Sequence, residues 1–255
     1  MVNPSTSQPS PLSPTRWPPD AFVWWHSLGF GFVLAAVAAI TVNAFAFGLV
    51  AAHVATAQTF GGRTLTWQAL ATQLFSYAIL IPLILWLLPR LARRSMRDLG
   101  LRPLRFSDAA WGLGGAIVAP LLAGIVAAVQ NVLLHLPANE VQVEWLRNEH
   151  GRMIAGFAFL AIVAAPAFEE LAFRGFLFNA VLRYVAPAPA MVIAGLLFGM
   201  IHWQPGNAGA ILPLATVGVV LCAVYYRTGS LVASAISHGL FNAYTVIGIV
   251  FLHQT

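Results

Sequence analysis

From residue 27 onward the chain is a series of long apolar runs separated by short turn signals. The runs lie at about 27–52, 65–88, 109–134, 153–180, 188–203, 209–226 and 231–252. Each reaches or approaches the ~18 apolar residues that mark a membrane-spanning helix. Between them stand "GGR" at 61, "LPAN" at 136, "APAP" at 186, "QPGN" at 204 and "RTGS" at 227, all rich in residues that break helices. The pattern predicts an all-α, polytopic transmembrane helical bundle of about seven spans. Six or eight spans are also compatible, because the fifth run is short and a Gly/Pro loop follows it. Residues 1–20 hold six prolines among Ser and Thr and cannot bury enough apolar surface to order themselves, so a disordered tail is expected there. That tail lacks the basic start and short apolar stretch of a cleaved signal peptide. Three regions follow from this: the tail at 1–20, N-terminal spans over 21–150, and a C-terminal core over 151–255.

Composition excludes the soluble alternative. The 255 residues are 59% hydrophobic and 8% charged, against roughly 25% charged in a soluble domain. Net charge is +5 and all 13 basic residues are arginine. The arginines flank apolar runs, a membrane-topology pattern that argues against nucleic-acid binding. Six of them, Arg90, Arg93, Arg94, Arg97, Arg102 and Arg105, crowd the connection at 90–107. Positive residues in short loops stay in the cytoplasm, so this loop and the N-terminus are expected inside. The all-arginine, alanine-rich usage resembles that of a GC-rich bacterial gene, and hence a bacterial plasma membrane. A single cysteine, Cys222, permits no disulfide within the chain and reads as a small buried hydrophobe.

Against this apolar background a few polar residues stand out. In "APAFEELAFRG" at 165–175, Glu169, Glu170 and Arg174 fall within a span, where each charge costs roughly 2.5–3.5 kcal/mol. Glu170 and Arg174 are four apart in the favourable acid-first order and can pair on one helical face. Glu169 is turned about 100° away and lacks that partner, which leaves it for chemistry. Pro166 removes a backbone donor and frees the carbonyl one turn earlier, so a bend just before the glutamates is expected. His202 follows in "GLLFGMIHW". Counted from Pro187, Glu169 lies 18 residues back and His202 lies 15 forward, which brings them to similar depth on antiparallel helices. Gly195 and Gly199 form a small-xxx-small pair that admits another helix beside the imidazole. In "SAISHGLFNA", Ser234, His238 and Asn242 make one polar stripe along the last span, and by spacing alone this could be plain interhelical hydrogen bonding.

Taken in order, Glu169-Glu170-x-x-x-Arg174, Phe198-x-x-x-His202 and His238-x-x-x-Asn242 resemble the CPBP family, the CAAX-processing and bacteriocin-immunity intramembrane proteases, also called Abi or type II CAAX prenyl endopeptidases. The "RDLGL" connection is similar to that family too. The resemblance covers 153–245 and is diffuse over the first 150 residues. It implies peptide-bond hydrolysis of a membrane-anchored peptide or protein substrate within or at the edge of the lipid bilayer, with the catalytic core in 151–255. Glu169 and His202 would activate a water, while His238 and Asn242 would hold the water, a metal or the oxyanion. Glu170, Arg174 and Phe198 would shape the site. The family has been read as metal-dependent and as a metal-free glutamate protease. One divalent metal such as zinc, held by Glu169, His202 and His238, is compatible with the residue types, and so is no metal. No "HExxH" occurs.

Two other classes share some of these features. A non-catalytic membrane scaffold or bacteriocin self-immunity protein would not require the full set of Glu169, His202, His238 and Asn242. A proton-coupled transporter also uses intramembrane carboxylates and histidines, but no pair of inverted repeats with broken helices is evident in the sequence. An aspartyl intramembrane protease would need two aspartates within spans, and Asp20, Asp98 and Asp108 all lie outside the predicted ones.

Overall fold

The computed structural model describes residues 20–56, 65–138, 151–203 and 206–252. Most of the proline-rich tail, the turn at 61, Gln204, Pro205 and the polar stretch holding Glu140, Glu144 and Glu149 lie outside the described residues. The described residues form seven helical bodies and no strand: α1 (Trp24–Ala51), α2 (Trp67–Ala92), α3 (Phe106–Leu134), α4 (Arg152–Leu182), α5 (Pro187–Ile201), α6 (Ile211–Thr228) and α7 (Leu231–Leu252). Six are long and apolar enough to cross a membrane, the sixth body counted from a 3-10 turn at Ala208–Ala210. The exception is α5. Its 15 residues reach only about 22 Å, short of the ~30 Å hydrocarbon core.

Local chemistry sets the helix ends. The Thr66 hydroxyl accepts from Ala69 N–H at the start of α2. Pro187 occupies the first turn of α5, where a missing N–H costs nothing. Gly229 closes α6 with φ 62°, and Ser230 Oγ then accepts from Ala233 N–H to begin α7. At α3 the carboxylate of Asp108 accepts from Arg105 N–H and from Arg102, whose guanidinium also donates to Thr228 O. Asp108 therefore sits in the first turn of α3, just inside the boundary expected from hydropathy. Asp98, in the arginine-rich loop, accepts from the Ser95 hydroxyl at 2.7 Å. That bond, with Arg94 and Arg97 nearby, holds its carboxyl below the usual carboxylate range.

Small residues bring the helices together. α6 is the most buried span, and it lies against α3, α5 and α7. A methyl group placed on Gly199 would stand 2.3 Å from Ile211 O, and one on Gly218 would stand 2.8 Å from Gly195 Cα. The Gly195/Gly199 pair thus admits α6, as its spacing predicts. Gly112 and Gly115 serve α3 in the same way against α7 and α6. Ser237 Oγ donates to Gly112 O at 2.6 Å to lock that contact. One core gathers Leu88, Phe173, Phe178, Phe198, Tyr225 and their neighbours from α2, α4, α5 and α6.

Candidate active site

α4 is not a regular helix. Two wider π-helical stretches, Leu160–Ala164 and Glu170–Phe178, flank a short α-helical piece at Ala165–Glu169. Pro166 accounts for part of this, because it offers no N–H to the preceding turn. Two carbonyls of that turn face α7. Ala161 O accepts from Asn242 Nδ2 at 2.7 Å, and a methyl placed on Gly239 would lie 2.6 Å from Ile162 O. The disturbance in α4 is therefore where α7 docks, through Gly239 and Asn242 in the turn that follows His238. Wide helical turns of this kind recur at functional sites.

His238 is buried and joins the two glutamates. Its Nδ1 lies 2.9 Å from Glu170 Oε1, and its Nε2 lies 3.7 Å from Glu169 Oε2. Glu170 Oε1 also accepts from Arg174 Nη1 at 2.9 Å, the i,i+4 pair read from the sequence. Arg174 is fully buried, donates a second bond to Gly218 O and stacks over the Phe198 ring at 4.8 Å. A carboxylate oxygen only accepts, so the proton of the neutral imidazole is on Nδ1 and Nε2 is an acceptor. Glu169 Oε2 is buried without a hydrogen-bond partner. Two acceptors thus face each other across 3.7 Å, and Glu169 Oε2 is left without a donor.

His202 caps the C-terminal end of α5. Its Nδ1 lies 2.8 Å from Phe198 O, and its own carbonyl accepts from Asn207 Nδ2 at 2.9 Å. The Phe198 ring packs against both imidazoles, at 4.9 Å from His202 and 5.6 Å from His238. Glu169, Phe198, His202, His238 and Asn242 all line one cavity of ≈ 770 Å³. The structure therefore brings every candidate side chain to one region, with Glu170 and Arg174 directly behind it. The imidazole in contact with Glu169 is that of His238.

Among the described residues no group of three or more His, Cys, Asp or Glu side chains is close enough to hold a metal ion. Glu169, His202 and His238 line the cavity without converging, so this arrangement does not fit a three-ligand metal centre.

Within the motifs, Glu170 contacts His238 as well as pairing with Arg174. Other contributors lie outside them: Asn207 secures His202. Thr72, Gln73, Ser76 and Tyr77 of α2 form part of the cavity wall. Their signal was available: polar residues at i, i+1, i+4 and i+5 share one face of an otherwise apolar span.

Residues 151–244 match the family described as type II CAAX prenyl endopeptidase Rce1-like. The match covers this segment, less than half of the chain. The assignment is consistent with the CPBP resemblance of the ordered motifs and supports a CAAX-type membrane protease. The matched segment contains all of α4, α5 and α6 and the polar half of α7. Six apolar helices together with this family make the chain an integral, multi-pass membrane protein. No curated protein and no solved structure matches the chain.

Proposed function

We propose that the protein is an intramembrane endopeptidase that hydrolyses peptide bonds of membrane-anchored substrates with a water activated at Glu169. The observation that carries this reading is the buried, unpartnered Oε2 of Glu169, 3.7 Å from an imidazole nitrogen, on the wall of a large cavity.

In this reading a water enters from the cavity and donates to the Glu169 carboxylate and to His238 Nε2 as the two side chains part from their 3.7 Å approach. Glu169 takes its proton as the oxygen attacks the scissile carbonyl. The carbonyl π electrons move onto oxygen, and the tetrahedral intermediate then collapses as Glu169 returns the proton to the departing amine. Glu170 and Arg174 fix the tautomer and orientation of His238, as a buried acid does in the familiar catalytic triads. Asn242 holds α7 against the Ala161 carbonyl and so keeps His238 at its post. His202 offers a second imidazole to the same cavity, secured through Phe198 O and Asn207. The arginine-rich loop at 90–107 marks the cytoplasmic face, by the topology rule already applied.

The test is cleavage of a membrane-anchored peptide library by the purified protein in liposomes. Wild type is compared with Glu169→Gln and Glu170→Gln, each with and without a chelator. Cleavage by wild type that is lost in Glu169→Gln supports the assignment, and the chelator arm reports whether a metal takes part. A wild type that cleaves nothing, or a Glu169→Gln variant that cleaves equally well, overturns it.

A further inference from the structure

One end of the bundle is strongly basic. Phe22 N–H donates to Leu91 O and the Tyr184 hydroxyl to Phe22 O, so the start of α1 meets the ends of α2 and α4 there. The Tyr225 hydroxyl donates to Leu99 O, Leu231 N–H to Gly100 O and Arg102 to Thr228 O, which fastens the connection between α2 and α3 onto the end of α6 and the start of α7. The six arginines of residues 90–105 therefore gather with Arg183 and Arg227, against Asp20, Asp98 and Asp108. Asp20 and Asp108 are taken by Arg93 and Arg102. Arg97, Arg105 and Arg227 are exposed.

The same connection also exposes apolar side chains. Leu101, Leu104 and Phe106, which alternate with Arg102 and Arg105, are 44%, 43% and 93% exposed. Its hydrogen bonds hold the backbone in place, so these side chains are fixed facing outward, where in water they would form a costly apolar patch. Two exposed tryptophans set the depth. Arg90 lies over the Trp86 ring at 4.2 Å and Arg227 over the Trp111 ring at 5.5 Å. Tryptophans at the ends of spans sit at the level of the lipid headgroups. The arginines beside them then stand among the phosphates while Leu101, Leu104 and Phe106 reach the acyl boundary, as in an interfacial segment.

We propose that residues 97–106, with Arg227 beside Trp111, form a binding surface for the headgroups of anionic phospholipids. A guanidinium pairs with a phosphate through two parallel hydrogen bonds. A zwitterionic headgroup brings its own ammonium and leaves the excess positive charge of this face unanswered. An acidic protein segment would answer the arginines but not the three apolar side chains set among them at membrane level. This proposal does not depend on the proteolytic reading.

The experiment reconstitutes the full chain in phosphatidylcholine membranes and compares the association of spin-labelled phosphatidylglycerol and phosphatidylcholine, read from the fraction of label that the protein immobilises. An arginine near an anionic surface is worth a factor of about five in association, so wild type should prefer phosphatidylglycerol by at least that factor. High salt, which screens exposed charge, should erase the preference, as should Arg97→Gln, Arg105→Gln and Arg227→Gln combined. Arg152→Gln, at the other end of the bundle, should keep it. Each single substitution is measured beside the combined variant and should lower the preference, so the test stands even where the combined variant does not fold. Equal association of both lipids with wild type overturns the proposal, and retention of an acidic peptide by the same membranes would then give this face to a protein partner. A combined variant with the wild-type preference, or an equal loss in Arg152→Gln, overturns it as well.

Discussion

Gly199→Ala tests how the small-residue seam between α5 and α6 sets the site. The added methyl carbon would lie 2.3 Å from Ile211 O and 2.8 Å from Ala215 N. A carbon normally approaches a carbonyl oxygen no closer than about 3.3 Å, so the helices must part by roughly 1 Å. Both obstructing atoms belong to backbone, and no rotamer change can relieve them. Overpacking of this kind costs about 1–3 kcal/mol. Because His202 caps α5 only three residues beyond Gly199, the displacement passes to the wall of the proposed site, where a ~1 Å misplacement costs on the order of 10²-fold in rate. Gly124→Ala in α3 is the control, since nothing lies within 4 Å of its added carbon. It should gain helix propensity of roughly 0.5–1 kcal/mol. The assay is thermal melting in one detergent, followed by cleavage of the peptide library. Gly199→Ala should melt several degrees below wild type and lose most activity, whereas Gly124→Ala should match or exceed wild type in both. Equal melting and equal cleavage for Gly199→Ala would refute the packing argument.

Further outcomes follow from the same geometry. Arg174→Met leaves the buried Glu170 carboxylate without its guanidinium and should destabilise the fold by about 3–5 kcal/mol; adding Glu170→Gln should recover part of that loss in chemical denaturation. Gly239→Ala places a carbon 2.6 Å from Ile162 O, so it should push α7 off α4 and abolish cleavage, as measured beside Gly124→Ala. Ser237→Ala removes the bond to Gly112 O outside the cavity and should lower stability by about 1 kcal/mol with kcat unchanged. Asp98 has its carboxyl held low, so its support of the arginine-rich loop is present at neutral pH and disappears as pH falls through that lowered value. Hydrogen exchange at the Leu99 and Gly100 amides, bonded to Ser95 O and Arg97 O, should therefore speed up in acid and in Asp98→Asn at neutral pH.

Much of this protein can be read along one dimension, because a helix repeats every 3.6 residues whatever surrounds it. The seven apolar bodies, the Glu170–Arg174 pair, the solitary Glu169 and the Gly195/Gly199 face all follow from spacing within single segments. The shared cavity of Glu169 and His202 follows almost as directly, from counting outward from Pro187. What spacing could not supply is the rotation of one helix about its axis relative to the next. Spans that are apolar all round carry little amphipathic signal, since lipid and protein interior reward the same side chains. Tertiary packing therefore decided that His238 reaches both glutamates and that Asn242 is drawn to Ala161 O. It also decided that α5 stops at His202 and that Tyr77 of α2 faces the site. Those choices depend on which glycines let two backbones meet and on which carbonyls the break at Pro166 leaves open, and both are properties of helix pairs.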